Sequence, residues 1–265
     1  PELGMAIAVS LRVNQAPTEV PATSPSPLRR TMNRFEVKYL VATKQVADLV
    51  DEMAGYLTPD PHSDPAQGYR VFSIYWDTPD LGFFWEKIEG VKYRRKLRFR
   101  RYDDSGDGII EIKQREDRTL QKRRLRWPVS RIAAVFGEGG RSVDWNGLGD
   151  DPVATEVALM IDRLRLAPRV GLTYRRRAYF GTFDPELRIS LDSRLMYKLP
   201  PVTLSDSFAR GAYILDPRLT VLEIKYDHRA PQWLTKLVCR RGLSMVRMSK
   251  YCSAIDRHYF QGQNT

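Results

Sequence analysis

The chain has 265 residues, 42% of them hydrophobic and 28% charged, with a formal net charge of +11. That balance suits a soluble globular protein able to bury a sizeable core without disulfides, and the charge implies an anionic partner. No apolar run approaches the roughly 18 to 20 residues needed to span a bilayer. Cys239 and Cys252 form no CxxC pair, and His62, His228 and His258 are scattered, which excludes a zinc site, a disulfide framework and a histidine-based centre. The two cysteines read as buried thiols in a reducing compartment, so a cytoplasmic location is expected.

Residues 1–31 are rich in Pro, Ser, Thr and Ala and lack the apolar core of a signal peptide. They read as a disordered leader, with Pro1-Glu2-Leu3-Gly4 before Met5 as an added remnant. A single domain is expected over 32–262. It opens on a strictly alternating strand, Arg34-Phe35-Glu36-Val37-Lys38-Tyr39-Leu40, with Glu36 and Lys38 on one face. Thr43 is placed to cap a helix carrying Val46, Leu49, Val50 and Met53 on one side, closed by Gly55. A Pro-rich turn leads to a strand over 69–77, ended by Asp77-Thr78-Pro79-Asp80.

Next comes a basic strand over 93–102, then strands over 109–115 and 121–129, which together read as an antiparallel meander. A Gly-rich loop precedes a helix opened by Asp151-Pro152, with Val153, Val157, Met160, Ile161 and Leu164 as its apolar set. Strands follow over 170–180, 187–191 and 220–226. A helix opened by Pro231 turns Leu234, Leu237 and Val238 inward. Ser249 caps the last helix, which carries Tyr251, Ala254, Ile255, His258 and Tyr259 at helical spacing. About eight strands with a few helices between them predict an α+β domain, mostly antiparallel β, closer to a barrel than to alternating βαβ units.

The charge is concentrated. Residues 92–126 hold fourteen Lys/Arg against six Asp/Glu. Within the basic strand Lys96, Arg98 and Arg100 share a face, with Leu97 and Phe99 on the other. Glu111-Ile112-Lys113 and Glu223-Ile224-Lys225 repeat the theme. A barrel with its charged faces inward needs helices over its apolar outer wall, and this chain supplies them. Burying so many cations unpaired is costly, and Glu36, Glu111, Asp192 and Glu223 are too few to neutralise them. A phosphate-rich ligand makes up the deficit.

At this point a family resemblance emerges. Arg34-Phe35-Glu36-Val37-Lys38-Tyr39 and Ser73-Ile74-Tyr75-Trp76-Asp77-Thr78-Pro79 resemble the start of the vacuolar transporter chaperone (VTC) polyphosphate polymerase domain. Lys96-Leu97-Arg98-Phe99-Arg100-Arg101-Tyr102, Glu111-Ile112-Lys113, Tyr174-Arg175-Arg176-Arg177-Ala178-Tyr179, Arg188-Ile189-Ser190-Leu191-Asp192, Leu222-Glu223-Ile224-Lys225 and Ser249-Lys250-Tyr251 follow in the family's order. The resemblance spans about residues 33–260 and places the chain among the triphosphate tunnel metalloenzymes. It implies a closed eight-stranded tunnel barrel with a basic lumen and covering helices. It also implies transfer of the γ-phosphate of ATP to a growing inorganic polyphosphate chain, assisted by Mn²⁺ or Mg²⁺.

Carried over by motif, Lys38, Arg98, Arg100, Lys113, Lys122, Arg176, Arg188 and Lys250 are phosphate ligands, joined by Lys96 and Lys225 on the same strand faces. Lys38, Arg98, Arg100 and Glu223 are the catalytic set. Glu223 is the metal ligand, with Glu36 and Glu111 as weaker candidates. Where the triphosphatase branch starts Glu-x-Glu-x-Lys, this chain has Arg34, which fits the polymerase branch. Two runs leave the register open: Lys122-Arg123-Arg124, and Arg175-Arg176-Arg177, where alternation from Tyr174 favours Arg176.

Two other functions remain: a hydrolase of the same fold acting on tripolyphosphate or nucleoside triphosphates, and a polyphosphate-binding module without chemistry. Specific nucleic-acid binding is disfavoured, because the cations alternate with apolar residues within strands. Trp76, Phe83, Phe84 and Trp85 read as outer-wall packing. Asp192 reads as a metal ligand or as the salt-bridge partner of Arg188 or Arg194. Any membrane coupling is expected from a partner protein.

Overall fold

The computed structural model describes residues 34–64, 66–103, 105–117, 119–137, 142–206 and 211–261; the 1–31 leader lies outside them. Among the described residues ten strands form one antiparallel sheet. They are β1 (Arg34–Ala42), β2 (Leu57–Pro59), β3 (Tyr69–Asp77), β4 (Tyr93–Tyr102), β5 (Asp107–Glu116), β6 (Thr119–Pro128), β7 (Ala167–Gly181), β8 (Arg188–Lys198), β9 (Ala212–Tyr213) and β10 (Leu219–Asp227). Eight of them follow the order β1-β10-β8-β7-β3-β4-β5-β6, while β2 pairs with β7 and β9 with β8.

The domain is α+β and mostly antiparallel, as the strand pattern predicts, but the expected closed barrel is corrected in one respect. Among the described residues β1 and β6 end the sheet without a ladder between them. The free edge of β1 is occupied by another segment: the Val246 amide donates to the Lys38 carbonyl at 2.8 Å, and Tyr39 pairs with Met245. An edge strand presents unpaired amides and carbonyls, and here a non-strand segment takes some of them.

Among the described residues six α-helices accompany the sheet: α1 (Val46–Met53), α2 (Gly82–Ile88), α3 (Val129–Phe136), α4 (Pro152–Leu164), α5 (Gln232–Arg240) and α6 (Lys250–Asp256). Helices α3 and α4, with Phe83 of α2, cover the outer faces of β3 to β6. Phe72, Ile74, Trp76, Leu97, Phe99, Ile110, Ile112 and Leu125 pack there against Ile132, Phe136, Val157 and Ile161. Helices α1 and α5 cover β1, β8 and β10 through Leu49, Met53, Leu234 and Leu237. Phe84 instead belongs to the inner cluster, against α6.

Several local expectations change. Thr43 caps no helix; its hydroxyl meets Thr220 Oγ1 at 3.0 Å, and a 3-10 turn precedes α1. Asp151 does cap α4, accepting from the Val153 and Ala154 amides at 2.8 and 3.2 Å. Helices α2 and α3 were not expected. Helix α2 forms because the buried Asp77 carboxylate accepts from the Thr78, Phe83 and Phe84 amides at 2.7, 2.8 and 3.0 Å. Cys252 is buried as expected, but Cys239 is exposed, on the outer side of α5.

Helix α6 lies inside the concavity of the sheet. Its Tyr251, Cys252, Ala254 and Ile255 pack with Tyr75, Val170, Leu172, Tyr174, Leu195 and Val221, all on inner faces of their strands. Tyr251 stacks on Tyr75 with ring centroids 5.1 Å apart, and its hydroxyl donates to Asp77. One carboxylate thus anchors both α2 and α6.

Candidate functional site

Strand pairing assembles one charged face. Lys38 lies opposite Glu223 and Glu36 opposite Lys225; Glu223 is opposite Ser190, and Asp192 opposite Arg176. On the other limb Ser73 is opposite Arg100, Tyr75 opposite Arg98, Lys96 opposite Lys113, Arg98 opposite Glu111, Lys113 opposite Lys122 and Glu111 opposite Arg124. Because side chains alternate, all of these share the inner face, whereas Leu97 and Phe99 point to the helical layer. The triple runs resolve. Lys122 and Arg124 are inward, and Arg123 forms a two-pronged pair with Glu156 of α4, both contacts 2.5 Å. Arg176 is inward and Arg175 reaches the Gln67 carbonyl at 3.4 Å.

The face divides into two limbs of different electrostatic character. On β1, β10, β8 and β7 cations and carboxylates neutralise one another. Arg176 holds Asp192 with two hydrogen bonds of 2.6 and 2.8 Å, and Lys250 Nζ stands 2.6 Å from the same carboxylate. Glu223 pairs with Lys225 through one oxygen; its other oxygen has Lys250 and Lys38 at 3.6 and 3.9 Å. Lys38 also meets Glu36 at 2.8 Å and the Met248 carbonyl at 3.0 Å. Burial opposes the charge on Glu223, but Lys225, Lys250, Arg176 and Lys38 hold its carboxyl well below the usual range. Burial and Glu223 push Glu36 up, and Lys38, Lys225 and Lys113 outweigh them.

On β4, β5 and β6 cations are in surplus. Glu111 serves two guanidinia, Arg98 at 2.8 Å and Arg124 at 2.7 Å, each on its own oxygen. Burial would raise its pKa; Arg98 and Arg124 bring it down to about 2. Arg100, 8% exposed, has no ion pair among the described residues; it donates to Ser73 Oγ at 3.0 Å, Tyr174 at 3.3 Å and Tyr102 at 3.4 Å. Lys96 reaches Ser249 Oγ at 3.2 Å and lies 5.4 Å from the centre of the Tyr251 ring. Lys113 and the exposed Lys122 have no carboxylate within salt-bridge distance among the described residues. Burial pushes the Lys113 ammonium down to about 8; Glu36 opposes the shift, while Lys122, Arg98 and Lys96 add to it.

Arg188 is the outlier of the expected set. Its register places it on the inner face, but its guanidinium turns to the Pro185 and Leu187 carbonyls at 2.5 and 3.2 Å and lies 4.0 Å over Phe180. Asp192 pairs with Arg176 and Lys250 rather than with Arg188 or Arg194, because β7 presents Arg176 directly opposite it.

Sequence reasoning passed over the hydroxyls of Ser73, Tyr75, Tyr102 and Tyr174, which surround Arg98 and Arg100. Their signal was alternation along β3 and β4, hidden because aromatic residues read as packing. Burial would raise the Tyr75 hydroxyl, yet Arg98, Arg100 and Lys96 draw it down to about 8. The cations of this limb thus stabilise negative charge placed among them, as a phosphate oxygen would require.

No group of three or more His, Cys, Asp or Glu side chains stands ready to hold a metal among the described residues. No helix of the described residues is long and apolar enough to cross a membrane.

Comparison with known proteins adds a family. No curated protein matches the chain. Similar solved structures include a provisionally named adenylate cyclase from Bacillus halodurans, with 12% identity, TM-score 0.48, and coverage of 87% of this chain and 98% of that one. Another, from Vibrio parahaemolyticus, has 12% identity and TM-score 0.46 over 84% of this chain and 98% of its own. A provisionally named adenylyl cyclase from Hippeastrum, described as having a dominant triphosphatase activity, has 14% identity and TM-score 0.44 over 83% and 93%. The VTC domain model matches residues 33–259, the whole stretch that carries the sheet, its inner charged face and α6. The chain belongs to the VTC domain family.

Proposed function

We propose that the protein is a polyphosphate polymerase that transfers the γ-phosphate of ATP to a growing inorganic polyphosphate chain on this inner face, in the cytoplasm. The observation that carries the reading is the surplus of cations without carboxylate partners on β4 and β5, above all the buried Arg100 and the half-buried Lys113. Membership of the VTC family ties the chain to polyphosphate and triphosphate chemistry.

Phosphoryl transfer asks little covalent chemistry of the protein; positioning and neutralisation of spread negative charge do most of it. Arg98 and Arg100 would present forked donors to the phosphates from one strand, and Lys96, Lys113 and Lys122 would add point charges beside them. The ion pairs of Arg176 and Lys250 with Asp192 would hold the opposite limb rigid, so that Lys38 and Lys225 meet the far side of the chain. Arg188 would engage an anion only by leaving the Pro185 carbonyl.

The donor set also suits a hard divalent cation. Glu223 and Glu36 belong to adjacent strands and sense each other's charge, and the nearest cations to Glu223 Oε2 lie beyond hydrogen-bond distance. Carboxylate oxygens with phosphate oxygens are the ligands Mg²⁺ or Mn²⁺ takes, and the ion would screen charge between the reacting phosphates. Glu111 does not fit this role, since each of its oxygens already faces a guanidinium.

Incubation with ATP and Mn²⁺ or Mg²⁺, followed by a gel stained for polyphosphate, tests the function. Long chains with ADP are the expected products. Orthophosphate without chains would replace the polymerase with a hydrolase, and tight polyphosphate binding without turnover would leave a binding module. Glu223→Gln should abolish turnover while retaining most tripolyphosphate binding; a fully active variant refutes the metal role.

A further inference from the structure

Lys96 is held differently from the lysines of the opposite limb. Lys38, Lys225 and Lys250 each meet a carboxylate, whereas among the described residues Lys96 has none within salt-bridge distance. Its ammonium rests instead on two neutral groups at the start of α6. Ser249 Oγ accepts from it at 3.2 Å, and the centre of the Tyr251 ring lies 5.4 Å away. A lysine stem is flexible, and its charged end needs a holder to keep one position. A carboxylate would hold the ammonium and cancel its charge. A hydroxyl and a ring face hold it and leave the charge available to a ligand.

Tyr251 is in turn fixed by its ring and by its hydroxyl. The ring stacks on Tyr75 with planes 16° apart, and the hydroxyl donates to the Asp77 carboxylate. Tyr251 is 2% exposed and Asp77 is fully buried, so neither bond competes with water. Trp76 pairs with Leu97, which places Asp77 and Lys96 one step further along adjacent strands, and Tyr251 bridges them from the inner side. A phenol that donates to a carboxylate gains electron density, which strengthens the pull of its ring on a cation. We propose that Tyr251 is a positioning residue for the phosphate face, holding Lys96 against a phosphate of the bound chain without neutralising it. The assignment rests on reading that face as a polyphosphate site, and it adds a residue that acts on the ligand through Lys96.

The test is a double-mutant cycle in equilibrium binding of inorganic tripolyphosphate to the full chain. Tyr251→Phe keeps the ring and its stacking and removes the bond to Asp77, whose carboxylate retains the Thr78, Phe83 and Phe84 amides. It should weaken tripolyphosphate about fivefold in the parent and less than twofold in a Lys96→Met background. A Lys122→Met background should leave that loss in full, because Lys122 stands on β6 opposite Lys113. Equal losses in all three backgrounds would mean a general loosening of α6 and overturn the assignment. Unchanged affinity in Tyr251→Phe, or in Lys96→Met alone, also overturns it, while the phosphate reading stands. If the parent binds no tripolyphosphate, the phosphate reading fails and takes the assignment with it. Asp77→Asn approaches the same bond from the acceptor side and replaces Tyr251→Phe in the cycle if that variant unfolds; the same dependence on Lys96 is expected, and its absence overturns the assignment.

Discussion

Replacing Arg100 by Met distinguishes a cation retained for a ligand from one retained for the fold. A buried guanidinium without a carboxylate costs several kcal/mol, and its three bonds to hydroxyls, two of them 3.3 and 3.4 Å long, return only about 1 kcal/mol each. Removing charge and bonds together should leave folding stability within about 1 kcal/mol of the parent. The same substitution at Arg176 leaves Asp192, 0% exposed, facing Lys250 alone. Breaking a buried pair costs about 3–5 kcal/mol, which in a domain of this size lowers Tm by about 6–20 °C. Ligand binding should differ too. Two charge-assisted bonds from Arg100 to phosphate are worth about 1.5–3 kcal/mol each, so Arg100→Met should weaken tripolyphosphate about 10²- to 10⁴-fold. Urea unfolding and calorimetric titration measure the two effects separately. If Arg100→Met destabilises as much as Arg176→Met, or binds tripolyphosphate normally, the division into two limbs is wrong.

Three further outcomes follow from the same face. Lys113 has its pKa depressed to about 8, so between that value and the ordinary lysine range the unfolded chain binds more protons and stability rises with pH. A bound polyanion should restore the proton: titrations near pH 8.5 in buffers of different ionisation heat should show net proton uptake, reduced in Lys113→Arg, and an unchanged uptake would clear Lys113. Glu111, held down to about 2, contributes stability above its unfolded pKa that is lost as pH falls from about 4.5 toward 2. Glu111→Gln should unfold more easily at pH 7 and lose less on acidification, as followed by circular dichroism; parallel acid curves for the two proteins would contradict this. Asp77→Ala removes the acceptor shared by α2 and Tyr251 and should cost about 2–4 kcal/mol. Faster amide exchange at Phe83 and Phe84 is its local signature, and unchanged exchange there would count against the shared anchor.

The strands were legible because period-two alternation survives even when the inner face is charged. Lys96, Arg98 and Arg100 alternate with Leu97 and Phe99, and that pattern alone puts the cations on one side. Family motifs then named the partner strands. Helices α2 and α3 were hidden for different reasons. Helix α2 has only seven residues and depends on a carboxylate that precedes it by five positions, so Asp77 read as a strand breaker. Helix α3 follows β6 directly through Pro128, and its Val129 was absorbed into the strand pattern. The pairing of charges was not legible at all. Which cations find carboxylates depends on who stands opposite whom across the sheet, and that register is a tertiary property. Closure was read from resemblance and depends on how β1's edge is used, a choice made by residues more than two hundred positions away.

Helix α6 makes the concavity a thimble rather than a pipe. Its apolar side chains fill the inner face at the end marked by Asp77, Leu195 and Val221, and the charged heads of Lys250 and Lys96 stand beside its first turn. A linear anion lying on the face would therefore have a blind end at α6. Every unit added at the blind end would have to push the whole strand outward, so length and displacement become the same quantity. A chain anchored at the mouth would strain against α6, and the Lys250 contacts with Asp192 and Glu223 are where that thrust would be felt.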